Sequence, residues 1–424
     1  MSHSRRLRRF DLIVLLFALI APAGCRWGGA PSRPSLEGVP VIRVKLVSGV
    51  SEVPIGAMQP AMFRSARDAQ PRRLAFPESS TVNVALAGDQ WRVGTVMLPG
   101  GELVVQPEVD GTIEIAGRRY HGKFHFVPTS DGKFDVVNHV DVESYLQGVL
   151  PRELFKDWEE EAYKAQAIVA RTYALFEQRT ERKSDRHWDV WADTRSQVYG
   201  GIQDETGKAN NAVEETRGVV AAYGPAGGER IFKAYFSACC GGVGQNVTDA
   251  MGDSYIPPLG DKNVGALCNI SPRYNWAPVT VNKNELTRRI RAWGASRNHA
   301  VQRVGQVERI DVAYVSRFGR PVKFMVTDSG GQKYLLGSEE MRWAINHDRG
   351  QQPMVYSSFF KPVNYPGEIV MSEGRGFGHG VGMCQWCAQS LALQGVAASL
   401  PADEPRVVMS LDVGGTSTDI GLLD

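Results

Sequence analysis

An excess of charge of either sign is missing from this chain: 48 Lys and Arg stand against 46 Asp and Glu in 424 residues. Nucleic-acid binding draws on a concentrated basic field, so the near-neutral balance excludes nucleic acid as an expected partner. Internal repeats are missing too, so the chain is not an array of one unit. Long hydrophobic runs are scarce: the apolar stretch DLIVLLFALIAPAG near the N-terminus falls short of the roughly 20 residues a permanent membrane-spanning helix needs. What is present is 43% hydrophobic residues, ordinary for a globular protein with a real core and enough chain for one large domain or two.

The apolar run follows SRRLRRF, with four arginines, and ends at Gly24 and Cys25. Basic residues followed by a short apolar run form an export signal. The ending APAGC resembles a lipobox, in which the cysteine is lipidated and becomes the first mature residue, although Pro22 stands where that pattern usually has Leu. A plain cleaved signal with an incidental cysteine is the alternative. On either reading residues 1–25 direct the chain out of the cytoplasm, with Cys25 as the lipidation candidate and the membrane reached through it. Residues 26–40, RWGGAPSRPSLEGVP, read as a linker.

From Val41 to about residue 140, short alternating runs such as VIRVKLVSG, TVNVALAG and KFHFVP are separated by Gly, Asp and Pro turns, which predicts a β-rich region. Beyond it, Asp157 with Glu160 three residues on carries a capping-box signature, and no Gly or Pro interrupts the chain to about Arg179. A long helix is predicted there. Its apolar residues lie all round the circumference, so it is expected to be buried on most sides. Lys164 and Arg171 share one face while Gln166 points nearly opposite, at about 100° per residue. Further helices are predicted at NNAVEETRG, NKNELTRRIRAWG and SEEMRWAINH, and a hairpin at VERIDVAYVSRFGRPVKFMVTDSGG. The fold class is α+β, a β-rich N-terminal region followed by a mixed domain with one long buried helix.

Six pieces then occur in order: VESYLQGVLPRE, EAYKAQAIVARTYAL, SQVYGG, AYFSACCGG, LLGSEEMRW and GHGVGMCQWCAQ. With them the segment from about 120 to 395 resembles the stage II sporulation protein D family, which includes peptidoglycan lytic transglycosylases and autolysin-modifying, amidase-enhancing proteins. The resemblance implies a variable β-rich part at 41–120 and a catalytic domain at 121–396. It implies an extracytoplasmic place in the bacterial envelope or periplasm, glycan strands of peptidoglycan as the partner, and wall hydrolases such as amidases as further partners. The implied reaction cleaves the β-1,4 bond between N-acetylmuramic acid and N-acetylglucosamine and leaves a 1,6-anhydro end, with no cofactor required.

The resemblance places the general acid at Glu153, among Leu150, Pro151, Leu154 and Phe155. Such an acid must be partly desolvated to stay protonated near neutral pH. Lys164, Gln166 and Arg171 are candidates to hold Glu153 or the sugar; a polar network tying the helix to its neighbours is the bland alternative. His379 stands between glycines, which lets a sugar or another strand come close. Gln385 and Trp386 offer amide hydrogen bonds and a flat ring for N-acetyl sugars, although Trp386 could equally be core. A non-catalytic glycan-binding or autolysin-enhancing module would keep His379 and Trp386 without needing Glu153 as an acid.

The cysteines depart from the family pattern. Cys384 and Cys387 replace a serine and a glycine, and Ser237 stands where many members carry a histidine that helps bind zinc in some relatives. Cys240 and Cys268 are the disulfide candidates outside the cytoplasm. Cys239, Cys384 and Cys387 then remain, which keeps a zinc site at Cys384 and Cys387, and a zinc-dependent wall hydrolase, open. The tail from 397 to 424 ends in VVMSLDVGGTSTDIGLLD, which resembles the strand and phosphate turn of actin-like ATPases without a second lobe to complete a nucleotide site.

Overall fold

In the computed structural model, the described residues are 38–398, apart from 69, 77–80, 109–110, 185, 226–227 and 350–353, together with the strand Val407–Ser410. The export signal, Cys25, most of the linker and most of the ATPase-like tail lie outside them. Among the described residues no helix is long and apolar enough to cross a membrane.

The alternating runs form two sheets. The first has seven strands, in the order Val190–Trp191, Val41–Val50, Phe134–Asp141, Lys123–Pro128, Leu103–Pro107, Ala61–Ser65 and Arg72–Leu74. Its pairings are antiparallel except for Val190–Trp191, which lies parallel to Val41–Val50. The second has six, running from Arg118–Tyr120 through Ile113–Ile115, Glu52–Ala57, Thr81–Ala87 and Gln90–Val93 to Val96–Pro99. Both sheets feed one core, in which Ile42, Phe63, Phe126 and Phe134 of the first meet Ile55, Val84 and Trp91 of the second. Val41–Val50 pairs along Phe134–Asp141, so strands from both sides of residue 120 share the first sheet.

The helices are α1 (Val142–Glu153), α2 (Glu160–Glu181), α3 (Gly207–Glu215), α4 (Val247–Met251), α5 (Lys283–Ser296), α6 (Ser338–Asn346) and α7 (Gln385–Leu393). Asp141 caps α1 by accepting from the Ser144 N–H at 2.9 Å, which turns the last strand of the first sheet straight into the helix. The long helix α2 starts at Glu160, without a side-chain cap from Asp157. A turn closed by Trp158 N–H to the Phe155 carbonyl, 3.1 Å, precedes it, and Trp158 is buried there against Trp386. Seating that indole moves the helix start beyond the position the capping signature predicts. From Gln166 to Leu175 every residue of α2 except Val169 is buried, as its apolar circumference predicts.

A separate apolar core lies under α5 and α6, where Leu286, Ile290, Trp293, Met341 and Ile345 pack on Ile310, Phe324 and Val326 of the predicted hairpin. Between the two cores the segments IFKAYFSACCGG and GFGHGVGMC run together. Around the first, only the short stretches Arg230–Ile231, at its start, and Phe236–Ser237 are strand, and the latter pairs parallel with Met383–Cys384.

Candidate functional site

A cavity of about 660 Å³ opens where these segments meet the end of α1. Each of the six sequence pieces contributes to its wall: Glu153 from the first, Tyr173 from the second, Ser196 and Val198 from the third, Tyr235 to Ala238 from the fourth, Arg342 and Trp343 from the fifth, His379 and Gln385 from the last.

Glu153 is the last residue of α1, half-buried beside buried Leu150 and Leu154. One carboxyl oxygen accepts the Val198 N–H at 3.0 Å. Burial raises its pKa, with the Val198 hydrogen bond and the Arg152 charge only partly opposing the rise. A carboxyl in this state can keep its proton at higher pH than an exposed one.

Gln385 is buried at the start of α7 and donates to the Glu153 carbonyl at 3.3 Å and to the Gln166 side-chain oxygen at 3.2 Å. Gln166 is completely buried, and its own amide nitrogen has no partner among the described residues. These two amides brace the backbone of Glu153 from behind.

His379 faces the same cavity. Its Nδ1 accepts the Val381 N–H at 3.0 Å, so a neutral ring carries its hydrogen on Nε2. Burial pushes its pKa down to about 4, against the pull of Glu339, so the ring is neutral at physiological pH. The flanking glycines serve the protein itself. A Cβ on Gly380 (φ 74°) would stand 2.3 Å from the Arg320 guanidinium, and one on Gly378 (φ 92°) would press on Ser237 at 3.1 Å. The Ser237 hydroxyl accepts the Gly380 N–H at 3.1 Å.

The remaining candidates are placed elsewhere. Lys164 bridges Glu161 at 2.8 Å and Glu215 at 2.6 Å. Arg171 is completely buried and grips Glu143 at 2.6 Å while donating to the carbonyls of Val213 and Val219. Both face α3 and neither lines the cavity, in keeping with a face opposite to that of Gln166. Trp386, partly buried, packs on Trp158, with ring centroids 4.7 Å apart, and on Phe155 at 5.9 Å, and is not among the cavity-lining residues.

Of the flat rings in the cavity wall, Trp343 and Phe377 are the exposed ones, at 41% and 39%. Sequence reasoning passed over them, together with Tyr235, whose hydroxyl donates to Asp253 at 2.8 Å, and Lys233, paired with Glu177 at 3.1 Å. The signal was there, because Tyr235 and Trp343 lie in two of the six pieces.

Four cysteines gather behind the cavity. The sulfurs of Cys240, Cys268, Cys384 and Cys387 all lie within 4.8 Å of one another. Cys240 and Cys268, the expected disulfide, are free thiols 3.6 Å apart, well beyond the roughly 2.05 Å of a bond. The set could hold a metal ion, and it joins Cys384 and Cys387 to the pair expected to be bridged. None of the four lines the cavity.

Comparison with known proteins meets this geometry at the same segments. Residues 130–223 match the family described as Stage II sporulation protein, which spans α1, α2 and α3. An uncharacterized protein of Brachyspira hyodysenteriae is 29% identical over 287 residues, 67% of this chain and 70% of that protein. The amidase enhancer of Bacillus subtilis is 25% identical over 356 residues, 75% of this chain and 48% of that protein. The chain thus spans about half the length of the Bacillus relative. Over part of its length it is linked to the stage II sporulation protein and amidase-enhancer group.

Proposed function

We propose that this protein binds glycan strands of peptidoglycan in the Glu153–His379 cavity and acts outside the cytoplasm beside a wall amidase. The observation that carries this reading is the convergence of all six sequence pieces on one cavity, combined with similarity to an amidase enhancer. The chemistry of the wall suits an N-acetyl sugar. Trp343 and Phe377 offer apolar faces, a carboxyl and hydroxyl groups offer hydrogen bonds, and the ion pairs Lys233–Glu177 and Arg195–Asp193 add further polar groups at the wall. Binding purified wall sacculi and raising the rate at which a purified amidase releases stem peptides are the expected results. A chain that does neither would sink the proposal.

A second reading, strand cleavage by Glu153, is favoured by one observation, the burial that raises its pKa. A protonated Glu153 would give its proton to the leaving glycosidic oxygen as an oxocarbenium-like state develops; the ionised carboxylate would then take the proton of the muramic 6-hydroxyl as that oxygen closes the anhydro ring. The proton count balances without water, a second carboxylate or a cofactor. Mass analysis of denuded strands incubated with the protein separates the two readings, since only cleavage yields 1,6-anhydro ends. The zinc-dependent hydrolase reading gains no support: four thiolates around one ion leave no open position for substrate, and the cysteines lie outside the cavity wall.

A further inference from the structure

We propose that Cys240, Cys268, Cys384 and Cys387 together hold one zinc ion as a closed structural site that fixes the back wall of the cavity. The site is inferred from the thiols themselves; its consequence for glycan rests on the cavity reading above.

The sulfur spacing is the first observation. Four sulfurs at about 2.3 Å from a tetrahedral zinc lie about 3.8 Å from one another. Cys240 is 3.6 Å from Cys268 and 3.9 Å from Cys387, and all four fall within 4.8 Å. Two disulfides would instead place the sulfurs in bonded pairs about 2.05 Å apart, whereas Cys240 and Cys268 stand at 3.6 Å.

The surroundings suit thiolates. Cys384 caps the nine-residue helix α7, and its sulfur accepts the Cys387 N–H at 3.4 Å and the Cys240 N–H at 3.3 Å. A helix N-terminus and backbone N–H donors both favour the charged sulfur. Zinc with four thiolates carries a net charge of about −2, which needs compensation when buried. Arg320, completely buried, supplies it: the guanidinium donates to the carbonyl oxygen of Cys240 at 3.1 Å and of Val243 at 2.7 Å. The buried carboxylate that also acts on Arg320, Glu339, is itself ion-paired with Arg342, so a thiolate-bound ion would add to the negative charge facing this guanidinium.

The position explains what the ion would do. It ties three stretches together: the segment after the Phe236–Ser237 strand, the turns around Cys268, and the start of α7. Gln385, between two of the ligands, reaches the Glu153 carbonyl. Arg320 also donates to the His379 carbonyl at 3.2 Å. Loss of the ion would loosen both sides of the cavity at once.

The full chain, purified without chelator, is expected to carry about one zinc. Its four cluster thiols should resist alkylation until a chelator is added, and cobalt(II) in place of zinc should give thiolate-to-cobalt charge-transfer absorption. Cys240→Ser and Cys387→Ser should each lose the metal, whereas Cys239→Ser should keep it. Peptide mapping that finds Cys240–Cys268 and Cys384–Cys387 disulfides in a metal-free native chain would overturn the site, as would full zinc retention after all four ligands are replaced. A zinc-loaded chain without affinity for glycan would uphold the site and sink the cavity reading. Zinc removal that lowers the melting temperature and weakens glycan binding would support both.

Discussion

Replacing Arg171 by methionine tests the structure against the role the sequence suggested for that residue. The guanidinium and Glu143 are both buried, and the pair is joined by contacts of 2.6 and 3.0 Å. Glu143 has one further partner, the Gly218 N–H at 3.2 Å, which cannot neutralise a carboxylate. Removing one member of such a buried pair costs about 3–5 kcal/mol, because the other charge is left uncompensated. That is a factor of roughly 150 to 5,000 in the folding equilibrium, taken from a total of about 5–15 kcal/mol. Urea unfolding followed by tryptophan fluorescence should show this loss, while the folded fraction of Arg171→Met binds glycan as the parent does. Glu143→Gln in the Arg171→Met background should recover part of the stability, since it removes the stranded charge. A stable Arg171→Met chain that has lost glycan affinity would return Arg171 to the cavity and refute the reasoning.

Glu153→Gln should fold, bind strands and, if the protein cleaves them, reduce anhydro-end release by at least about 100-fold. The same variant carries a pH signature. Burial raises the folded-state pKa of Glu153, so the folded chain keeps this proton to higher pH than the unfolded chain, and stability falls as pH rises through that window. Melts from about pH 4 to about pH 8 should therefore show Glu153→Gln gaining on the parent with rising pH; a constant difference would contradict the burial argument. A chain ending at Leu400 loses only the strand Val407–Ser410 from the described fold and should keep its glycan affinity, because the cavity wall comes from residues 153 to 385. Cys25→Ser should move the protein from the membrane to the soluble envelope fraction; an unchanged distribution would remove the lipid anchor.

Local pattern made much of the fold legible. Period-two alternation marked the strands after Val41, and the hairpin Val307–Val315 with Pro321–Asp328 was readable from its turn. The helix α1 was not, because Gly148 and Pro151 interrupt its sequence. Pro151 removes the helical bond its own N–H would make to the Gln147 carbonyl, and α1 ends two residues later, with the Leu154 N–H closing on the Leu150 carbonyl at 3.0 Å. At the site, opposite faces for Gln166 and Arg171 followed from helix geometry alone. Which face meets the cavity did not, since it depends on α7 packing across α2, a contact between residues 219 apart in sequence. The same distance hid the cysteine cluster: 28 residues separate Cys240 from Cys268 and 147 separate Cys240 from Cys387. The loop-rich segment between Cys240 and Cys268 suggested a disulfide, and only the fold brings the other pair to it.

The cavity claim is tested most directly by equilibrium titration of the purified full chain with denuded glycan strands, comparing the parent with Trp343→Ala. Trp343 is partly exposed on α6 in the cavity wall, so its removal should leave the fold intact. An exposed ring that packs on a ligand commonly contributes 1.4 kcal/mol or more, about tenfold in affinity. Saturable binding by the parent, weakened at least about tenfold in Trp343→Ala with an unchanged melting temperature, is the predicted result. No binding by the parent, or identical affinity in Trp343→Ala and in Phe377→Ala, would contradict it.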